Sequence, residues 1–325
     1  MRNYILITIL CYFFFNYKGM VMFLFNLMHG QNSSLINLLG FGIFGGGYTG
    51  AVSFSTEKYI YQTNSISVGI ALGMARHSLT GVGNYNAGIF AGTYGPASAY
   101  TDKYTYANNT VAAGTLLGLA RGLTAGFGNK DIGIFAGGYT TASSNYTDKY
   151  TYATNIIIPG TLLSRSVYAC CGLGNATIGI VCGGYSAGAN VIFTDKYIYS
   201  NDTVTAGCNL SIARYGSSAA GNTTIGIIGY GWGGNVTGYS DQYTYSNNTV
   251  VAGTSFSNSR SANTAAGNMI VGIFRGGSNS WGYDVGSTFA TTEKYTYNTS
   301  IVTSGTSLVV AKSGLAATSS TPGGF

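Results

Sequence analysis

The segment Ile132–Gly138, with the sequence IGIFAGG, decides the fold because related segments occur six times along the chain. Their first glycines lie 46, 45, 46, 47 and 46 residues apart, at Gly42, Gly88, Gly133, Gly179, Gly226 and Gly272. A second motif, typified by Thr147-Asp148-Lys149-Tyr150, recurs in step with the first. Two motifs repeating in the same register indicate a protein built from six internal repeats.

Each repeat has the sequence pattern of four short β-strands. In the third repeat, Leu123–Gly128 is small and apolar, and Ile132–Gly137 is an apolar run typical of a strand buried on both faces. Tyr146–Thr154 alternates as a half-exposed strand does, and Asn155–Leu162 follows as the outermost strand. Four strands in a repeat of this length are typical of propeller blades. The sequence therefore predicts an all-β fold, a six-bladed β-propeller of four-stranded blades.

The two ends of the repeat region predict how the ring closes. Lys312 occupies the position that Arg76 occupies before the first strand of the next repeat, so one more first strand is expected at Leu315–Ser319. Blade one begins with its second strand near Phe41. We therefore expect the ring to be closed by N- and C-terminal strands in one blade, which removes free sheet edges.

The repeats resemble the blades of the kelch family over about residues 40 to 320. The resemblance depends on an aromatic strand, an arginine near the end of each repeat and a glycine doublet, found at Gly46-Gly47, Gly137-Gly138, Gly183-Gly184 and Gly276-Gly277. The chain departs from the family because no repeat has the usual outer-strand tryptophan and Gly92-Thr93 replaces one doublet. The resemblance implies a divergent kelch-like propeller.

Composition and charge placement argue against nucleic acid as a partner. The 325 residues include 50 Gly and 27 Tyr, and only 7% of residues are charged, against about a quarter in an average soluble domain. The net charge is +6, but the basic residues are spread evenly over the repeats, with lysines in the second motif and arginines recurring at Arg76, Arg121, Arg165, Arg214 and Arg260. A nucleic-acid groove needs basic residues clustered on one face.

Residues 1–34 form a hydrophobic leader outside the propeller, which is expected to span residues 35–325. Tyr4–Phe15 and Met20–Met28 are apolar and are separated by a polar break that contains Lys18. A signal peptide has such a core but also a small-residue cleavage site, which is missing, and a membrane anchor through residues 4–28 would enclose Lys18. Signal peptide, anchor and non-native extension stay open, and a secreted or surface-associated protein is expected.

The residue types needed for catalysis are scarce. Copper oxidation, as in the kelch-like galactose oxidase, needs several nitrogen ligands, and the chain has two histidines, His29 and His77. Six of the nine carboxylates occupy the second motif, where recurrence in every blade indicates a structural role. We therefore expect no catalytic residues, no metal site and no cofactor.

Four cysteines fall in blades four and five: Cys170, Cys171, Cys182 and Cys208. Their spacing does not match the paired-cysteine pattern of zinc sites. If the turn at Gly174–Thr177 forms a hairpin, Cys182 lies opposite Cys170 or Cys171. The sequence predicts small buried thiols and leaves their disulfide state open.

Function on a symmetric scaffold is expected where the symmetry breaks. Both tryptophans of the chain follow the second strand of a blade, Trp232 in blade five and Trp281 in blade six, and blade six also has an insertion that contains Tyr283 and Asp284. Aromatic rings beside a carboxylate suit carbohydrate or peptide recognition. We predict a binding site at Trp232, Trp281, Tyr283 and Asp284.

These features favour a non-catalytic recognition or scaffold propeller that binds a protein or glycan partner on one face. A cell or virion surface is the expected setting. The alternative, implied by the resemblance to known propellers, is a sugar-active enzyme of the sialic-acid mutarotase or galactose-oxidase type.

Overall fold

The computed structural model describes residues 40–280 and 287–321, and strands are numbered β1 to β26 in chain order. The described residues contain no helix and form six four-stranded antiparallel sheets, each of them one blade of a ring. The predicted six-bladed propeller is therefore confirmed. The leader predicted at residues 1–34 lies outside the described residues.

Blade one joins the two ends of the propeller and contains β1 (Phe41–Tyr48), β2 (Thr56–Ile60), β3 (Ser65–Val68) and β26 (Ser313–Ser319). The innermost strand β26 pairs antiparallel with β1, so that Phe44 lies opposite Ala317. This pairing confirms the predicted closing strand at Leu315–Ser319. Closure matters energetically because an open edge would leave the backbone groups of β1 unpaired.

The other five blades follow along the chain, each from its innermost to its outermost strand. In blade four a small hairpin of β14 and β15 lies between the second and third strands. The strands are, in blade two, β4 (Thr80–Gly83), β5 (Ala87–Ala91), β6 (Thr101–Thr105) and β7 (Thr110–Ala113); in blade three, β8 (Ala125–Gly128), β9 (Ile132–Ala136), β10 (Thr147–Thr151) and β11 (Ile156–Pro159); in blade four, β12 (Cys171–Gly174), β13 (Ile178–Cys182), β14 (Tyr185–Ser186), β15 (Ala189–Asn190), β16 (Thr194–Ile198) and β17 (Thr203–Ala206); in blade five, β18 (Ser218–Gly221), β19 (Ile225–Gly229), β20 (Ser240–Thr244) and β21 (Thr249–Ala252); and in blade six, β22 (Thr264–Gly267), β23 (Val271–Arg275), β24 (Thr292–Thr296) and β25 (Ile301–Gly305).

The hydrophobic core lies between neighbouring blades rather than within any one of them. Between blades two and three, for example, Val82 and Ile89 pack against Phe135 and Tyr150. Burying each such side chain contributes about 1.5–3 kcal/mol, so a single blade depends on its neighbours for stability. The tyrosine of the second motif is fully buried in all six blades, at Tyr59, Tyr104, Tyr150, Tyr197, Tyr243 and Tyr295.

Close packing requires the first glycine of the repeated segment, represented by Gly133 in blade three. A Cβ atom at Gly133 would lie 2.5 Å from Cγ2 of Val82 in the neighbouring blade and 2.8 Å from the hydroxyl of Tyr152. A side chain there would push two blades apart. The glycine spacing that reveals the repeat is thus a consequence of how tightly the blades pack.

A closed circle of backbone hydrogen bonds surrounds the propeller axis just before the first strands. Each blade contributes one amide and one carbonyl, and we call this circle the backbone ring. The donor–acceptor distances lie between 2.6 and 2.9 Å. Its six members all have a φ between +51° and +63°: Ser78, Leu123, Ala169, Gly216, Ala262 and Gly314.

The left-handed conformation of the backbone ring predicts an unusual response to glycine. Ala262→Gly and Ala219→Gly each remove a buried methyl group and each add backbone freedom to the unfolded chain, but only Ala262 has a positive φ. Left-handed backbone costs an ordinary residue roughly 1–2 kcal/mol. Ala262→Gly should therefore be less destabilising than Ala219→Gly by about that amount, measured by denaturant unfolding. Equal losses for the two variants would contradict this.

Candidate functional site

The repeated carboxylate of the second motif is buried and anchors the segment that connects two blades. Asp148 is fully buried, and one of its oxygens accepts a hydrogen bond from Nη1 of Arg121 at 2.7 Å. Its other oxygen accepts a bond from the Gly118 amide at 2.9 Å. The same pairing occurs in three more blades, at Arg76–Asp102, Arg214–Asp241 and Arg260–Glu293.

Blades one and four satisfy this carboxylate differently. In blade one, Glu57 pairs at 3.5 Å with Arg275, which lies on β23 of the neighbouring blade, while Nζ of Lys312 bonds to Ser55. In blade four, Asp195 accepts hydrogen bonds from the amide and hydroxyl of Ser164.

The placement of Arg165 in the recurring arginine position is wrong. The connector before blade four has Val167 at that position, and the Val167 carbonyl accepts a bond from the Gly138 amide as the Arg76 carbonyl does from Gly47. Arg165 lies two residues earlier and is exposed, with its guanidinium 4.4 Å from the centre of the Phe193 ring. Val167 follows Tyr150 by 17 residues, as Arg76 follows Tyr59, so the spacing from the second motif identifies the position, whereas matching the residue type does not.

Burial disfavours the charged form of the paired arginines, and their carboxylate partners favour it. Desolvation lowers the pKa of Arg76 and Arg121, while the facing carboxylates Asp102 and Asp148 raise it. The same opposition, with Glu57 as the partner, leaves Arg275 with a pKa of about 10. All three guanidiniums are therefore charged near neutral pH, and removing a partner would leave an uncompensated charge inside a blade.

A row of aromatic side chains covers the end of the ring where the backbone ring lies. We call it the aromatic arc, and it consists of Tyr48, His77, Tyr94, Tyr139, Tyr168, Tyr185, Tyr215 and Trp232. Some members directly precede a residue of the backbone ring, and the others directly follow a second strand and its glycines. The two sets meet because their backbones pair within a blade, as Tyr215 does with Trp232.

The rings of the aromatic arc contact one another in sequence around the axis. Ring centres are 5.8 Å apart for Tyr48 and His77, 5.6 Å for Tyr94 and Tyr139, and 5.0 Å for Tyr139 and Tyr168. Most neighbouring planes are steeply inclined, so the edge of one ring faces its neighbour, which is a favourable arrangement. Mutual packing holds the rings in place. His77 and Tyr215 are buried, and the other six rings are partly or well exposed to solvent.

The aromatic arc lies among uncharged loops. The five described loops that follow the second strands contain no Asp, Glu, Lys or Arg: residues 49–53, 95–98, 140–144, 186–190 and 233–237. Among the connectors between described blades, Arg165 is the exposed charged residue. Charged turns such as Lys130-Asp131 lie at the opposite end of the blades, between first and second strands. The described part of this end of the propeller is thus aromatic and, apart from Arg165, uncharged.

The phenol hydroxyls of the aromatic arc can both donate and accept hydrogen bonds. Burial raises the pKa of Tyr215 to about 12 and also raises that of Tyr168, with a smaller increase from neighbouring tyrosines. Within residues 40–280 and 287–321, no hydrogen bond satisfies the hydroxyls of Tyr48, Tyr94, Tyr139, Tyr168 and Tyr215. None of these hydroxyls is buried without a partner either, so they face solvent.

Blade six interrupts the aromatic arc. At the corresponding positions it has small buried serines, Ser261 and Ser278, whose backbones pair with each other, and Ser313 follows at the start of β26. The insertion predicted to contribute to binding comes directly after this point in the chain. Trp281, Tyr283 and Asp284 lie outside the described residues, so their placement stays a prediction.

Of the predicted site residues, the structure describes Trp232. It is half-buried, packs against the buried cluster that contains Tyr215, and forms one end of the aromatic arc. The other members are not among the predicted residues, because the site was expected where the repeats differ from one another. The signal that could have found some of them is the aromatic residue immediately after three of the four glycine doublets, at Tyr48, Tyr139 and Tyr185.

The cysteines are free thiols in the described part of the chain. Cys171 and Cys182 lie opposite each other on β12 and β13, as one of the two predicted alternatives had it, and both are buried. Burial raises the pKa of Cys170 to about 12, so its thiol stays protonated. In residues 40–280 and 287–321, no group of three His, Cys, Asp or Glu side chains is placed to hold a metal ion. In the same ranges no helix is long and apolar enough to cross a membrane.

Neither a protein-family model nor a curated protein matches this sequence. Solved structures do match its fold. The structure of YjhT aligns over 76% of this chain and 88% of that chain with a TM-score of 0.62 and 12% sequence identity. At this identity the similarity shows a shared β-propeller fold alone, and the kelch resemblance stays a prediction.

The buried arginine–carboxylate pairs predict a large loss of stability when the carboxylate is removed. Asp148→Ala should destabilise the protein by about 3–5 kcal/mol, because it leaves the Arg121 guanidinium buried and uncompensated. The matched control is Asp131→Ala in the same blade, since Asp131 is 66% exposed and paired with exposed Lys130. Thermal unfolding compares them. Similar melting temperatures for the two variants would contradict a structural role for Asp148.

Acid should weaken the interactions of the Glu293 carboxylate with Ser257, Tyr230 and Arg260. Burial pushes the pKa of Glu293 up, but hydrogen bonds from Ser257 and Tyr230 and the charge of Arg260 bring it below its ordinary 4.5. A carboxylate whose pKa is lower in the folded than in the unfolded state stabilises the protein at pH values above its unfolded-state pKa. This stabilisation is lost as the pH falls through the folded-state pKa. Glu293→Gln should therefore be most destabilising at neutral pH, with a difference that shrinks in acid. A pH-independent difference in unfolding free energy would contradict this.

Proposed function

We propose that this chain is a non-catalytic recognition propeller that binds a protein or glycan partner on its aromatic face. The observation that carries the proposal is the aromatic arc, a continuous row of rings over five blades at one end of the molecule. Tyrosine and tryptophan provide large contact areas at a small cost in conformational entropy and are enriched at the centres of binding sites. Six of the eight rings are partly or well exposed to solvent, so the row is accessible to a partner.

Rigidity supports binding by this surface. Each ring of the arc contacts its neighbours, and the residues beside it belong to the backbone ring or to glycine-rich turns of defined conformation. A surface that is already ordered loses little entropy when a ligand binds. We include Trp281, Tyr283 and Asp284 in the proposed surface because they follow the second strand of blade six, as Trp232 does in blade five.

The positions of the described carboxylates favour recognition over acid–base catalysis. Six of them lie in the second motif inside the blades, and Asp131 and Asp202 lie in turns at the end opposite the aromatic arc. Asp202 is also bonded to Tyr197 and Lys149. General acid–base chemistry needs such groups within hydrogen-bond reach of the substrate.

A binding screen tests the proposal. Immobilised protein is presented with a peptide display library and a glycan array, and hits are retested with Trp232→Ala and Tyr139→Ala. We expect these variants to weaken binding by about 2 kcal/mol each, as truncation of central aromatic residues does. The matched control is Tyr85→Ala, which removes a ring that is 45% exposed in the turn between β4 and β5 at the opposite end.

Two results would contradict the proposal. Ligands that are lost with Tyr85→Ala but retained by both arc variants would place binding elsewhere. Turnover of a bound sugar, abolished by a single substitution that leaves affinity unchanged, would favour the sugar-active enzyme. Melting temperatures of all variants are measured alongside, so that unfolding is not mistaken for loss of binding.

A further inference from the structure

We infer that the ligand of the aromatic arc is an uncharged oligosaccharide, an inference that rests on the proposed function and makes it specific. Four features of the described face support it: its lack of charge, its free hydroxyls, its shallow floor and its length. Each feature bears on a different class of ligand.

The lack of charge disfavours anionic ligands. Nucleic acids, sulfated glycans and acidic sugars are bound through Lys and Arg, and the loops around the arc contain neither. The exposed Arg165 already lies over the Phe193 ring, and Arg76, Arg121, Arg214 and Arg260 are buried inside the blades.

The free hydroxyls match the chemistry of a sugar. Tyr48, Tyr94 and Tyr139 expose phenol groups that are not bonded within the described chain, and a phenol both donates and accepts. Exposed Thr49, Thr141 and Asn235 lie in the loops beside these rings and add further donors and acceptors. A saccharide presents hydroxyls around its rim and a flat patch of C–H groups on its face. An aromatic surface bordered by hydroxyls and amides can bind both parts.

The shallow floor disfavours a protein partner that inserts side chains. Below the arc lies the backbone ring, and beneath that an axial cavity of about 110 Å³ lined by the first strands. The residues of the backbone ring help to line this cavity, and most of its lining is glycine, alanine, serine or threonine, so it offers little apolar surface to a large anchoring side chain. Protein interfaces gain most of their affinity from buried anchors in such pockets. Stacking on exposed ring faces needs none.

The length of the arc favours a chain of sugars over a single one. From Tyr48 to Tyr215, consecutive ring centres lie 5.0 to 6.4 Å apart, a spacing comparable with the length of one hexose unit. A monosaccharide would contact one or two rings. An oligosaccharide following the curve would contact several, and its affinity should increase with chain length.

The experiment uses the full chain with matched saccharides. Neutral oligomers of glucose, mannose, galactose and N-acetylglucosamine, from disaccharides to hexasaccharides, are titrated by calorimetry beside sulfated and sialylated relatives, at low and at high salt. We expect neutral oligomers to bind, with affinity that increases with length and does not fall with salt.

Variants at one position separate stacking from hydrogen bonding. Tyr139→Ala removes ring and hydroxyl and should weaken binding about tenfold or more, whereas Tyr139→Phe keeps the ring and should weaken it about two- to tenfold. Tyr85→Ala, at the opposite end, should bind as the unmodified protein does. Melting temperatures confirm that each variant is folded.

The outcomes distinguish this inference from the proposed function. Binding only of anionic saccharides, or neutral binding unaffected by Tyr139→Ala, overturns the inference. If no saccharide binds but display-selected peptides bind and are lost with Tyr139→Ala, the inference fails and the recognition function survives. If neither saccharide nor peptide binding depends on the arc, both fail.

Discussion

Six backbone hydrogen bonds that close on themselves around the axis form the constraint on which this propeller depends. Every blade must bring one residue to the same height with a left-handed backbone, and four of the six do so without glycine: Ser78, Leu123, Ala169 and Ala262. Each of these positions costs roughly 1–2 kcal/mol in backbone strain, comparable with what one hydrogen bond returns. The backbone ring also fixes the positions of the connector residues on either side of it.

The tripeptide Arg214-Tyr215-Gly216 shows how this order spreads. Gly216 joins the backbone ring, Tyr215 turns its ring toward the aromatic arc, and the Arg214 side chain enters the blade to pair with Asp241. One short connector thus closes the circle, builds the outer face and fastens the blade. Losing the buried partner of such an arginine is costly, because the guanidinium cannot reach water from there.

The aromatic arc shows how a symmetric scaffold can bind an extended ligand. Repetition places similar rings at similar heights in successive blades, and together they cover more surface than any single loop. Blade six breaks the row with Ser261 and Ser278 and then carries the insertion with both a carboxylate and a second tryptophan. Repeated features can therefore serve recognition as well as folding, and the departures from symmetry give the row an end.

The sequence by itself determined the number of blades, their strands and the closing strand at Leu315–Ser319, because short-range alternation and spacing reflect the local backbone. It also indicated Trp232 as part of a surface. Only the tertiary structure decided that Glu57 pairs with Arg275 and that distant tyrosines form one row. These features depend on contacts between blades that are far apart in sequence, and no local pattern encodes which side chains meet when the ring closes.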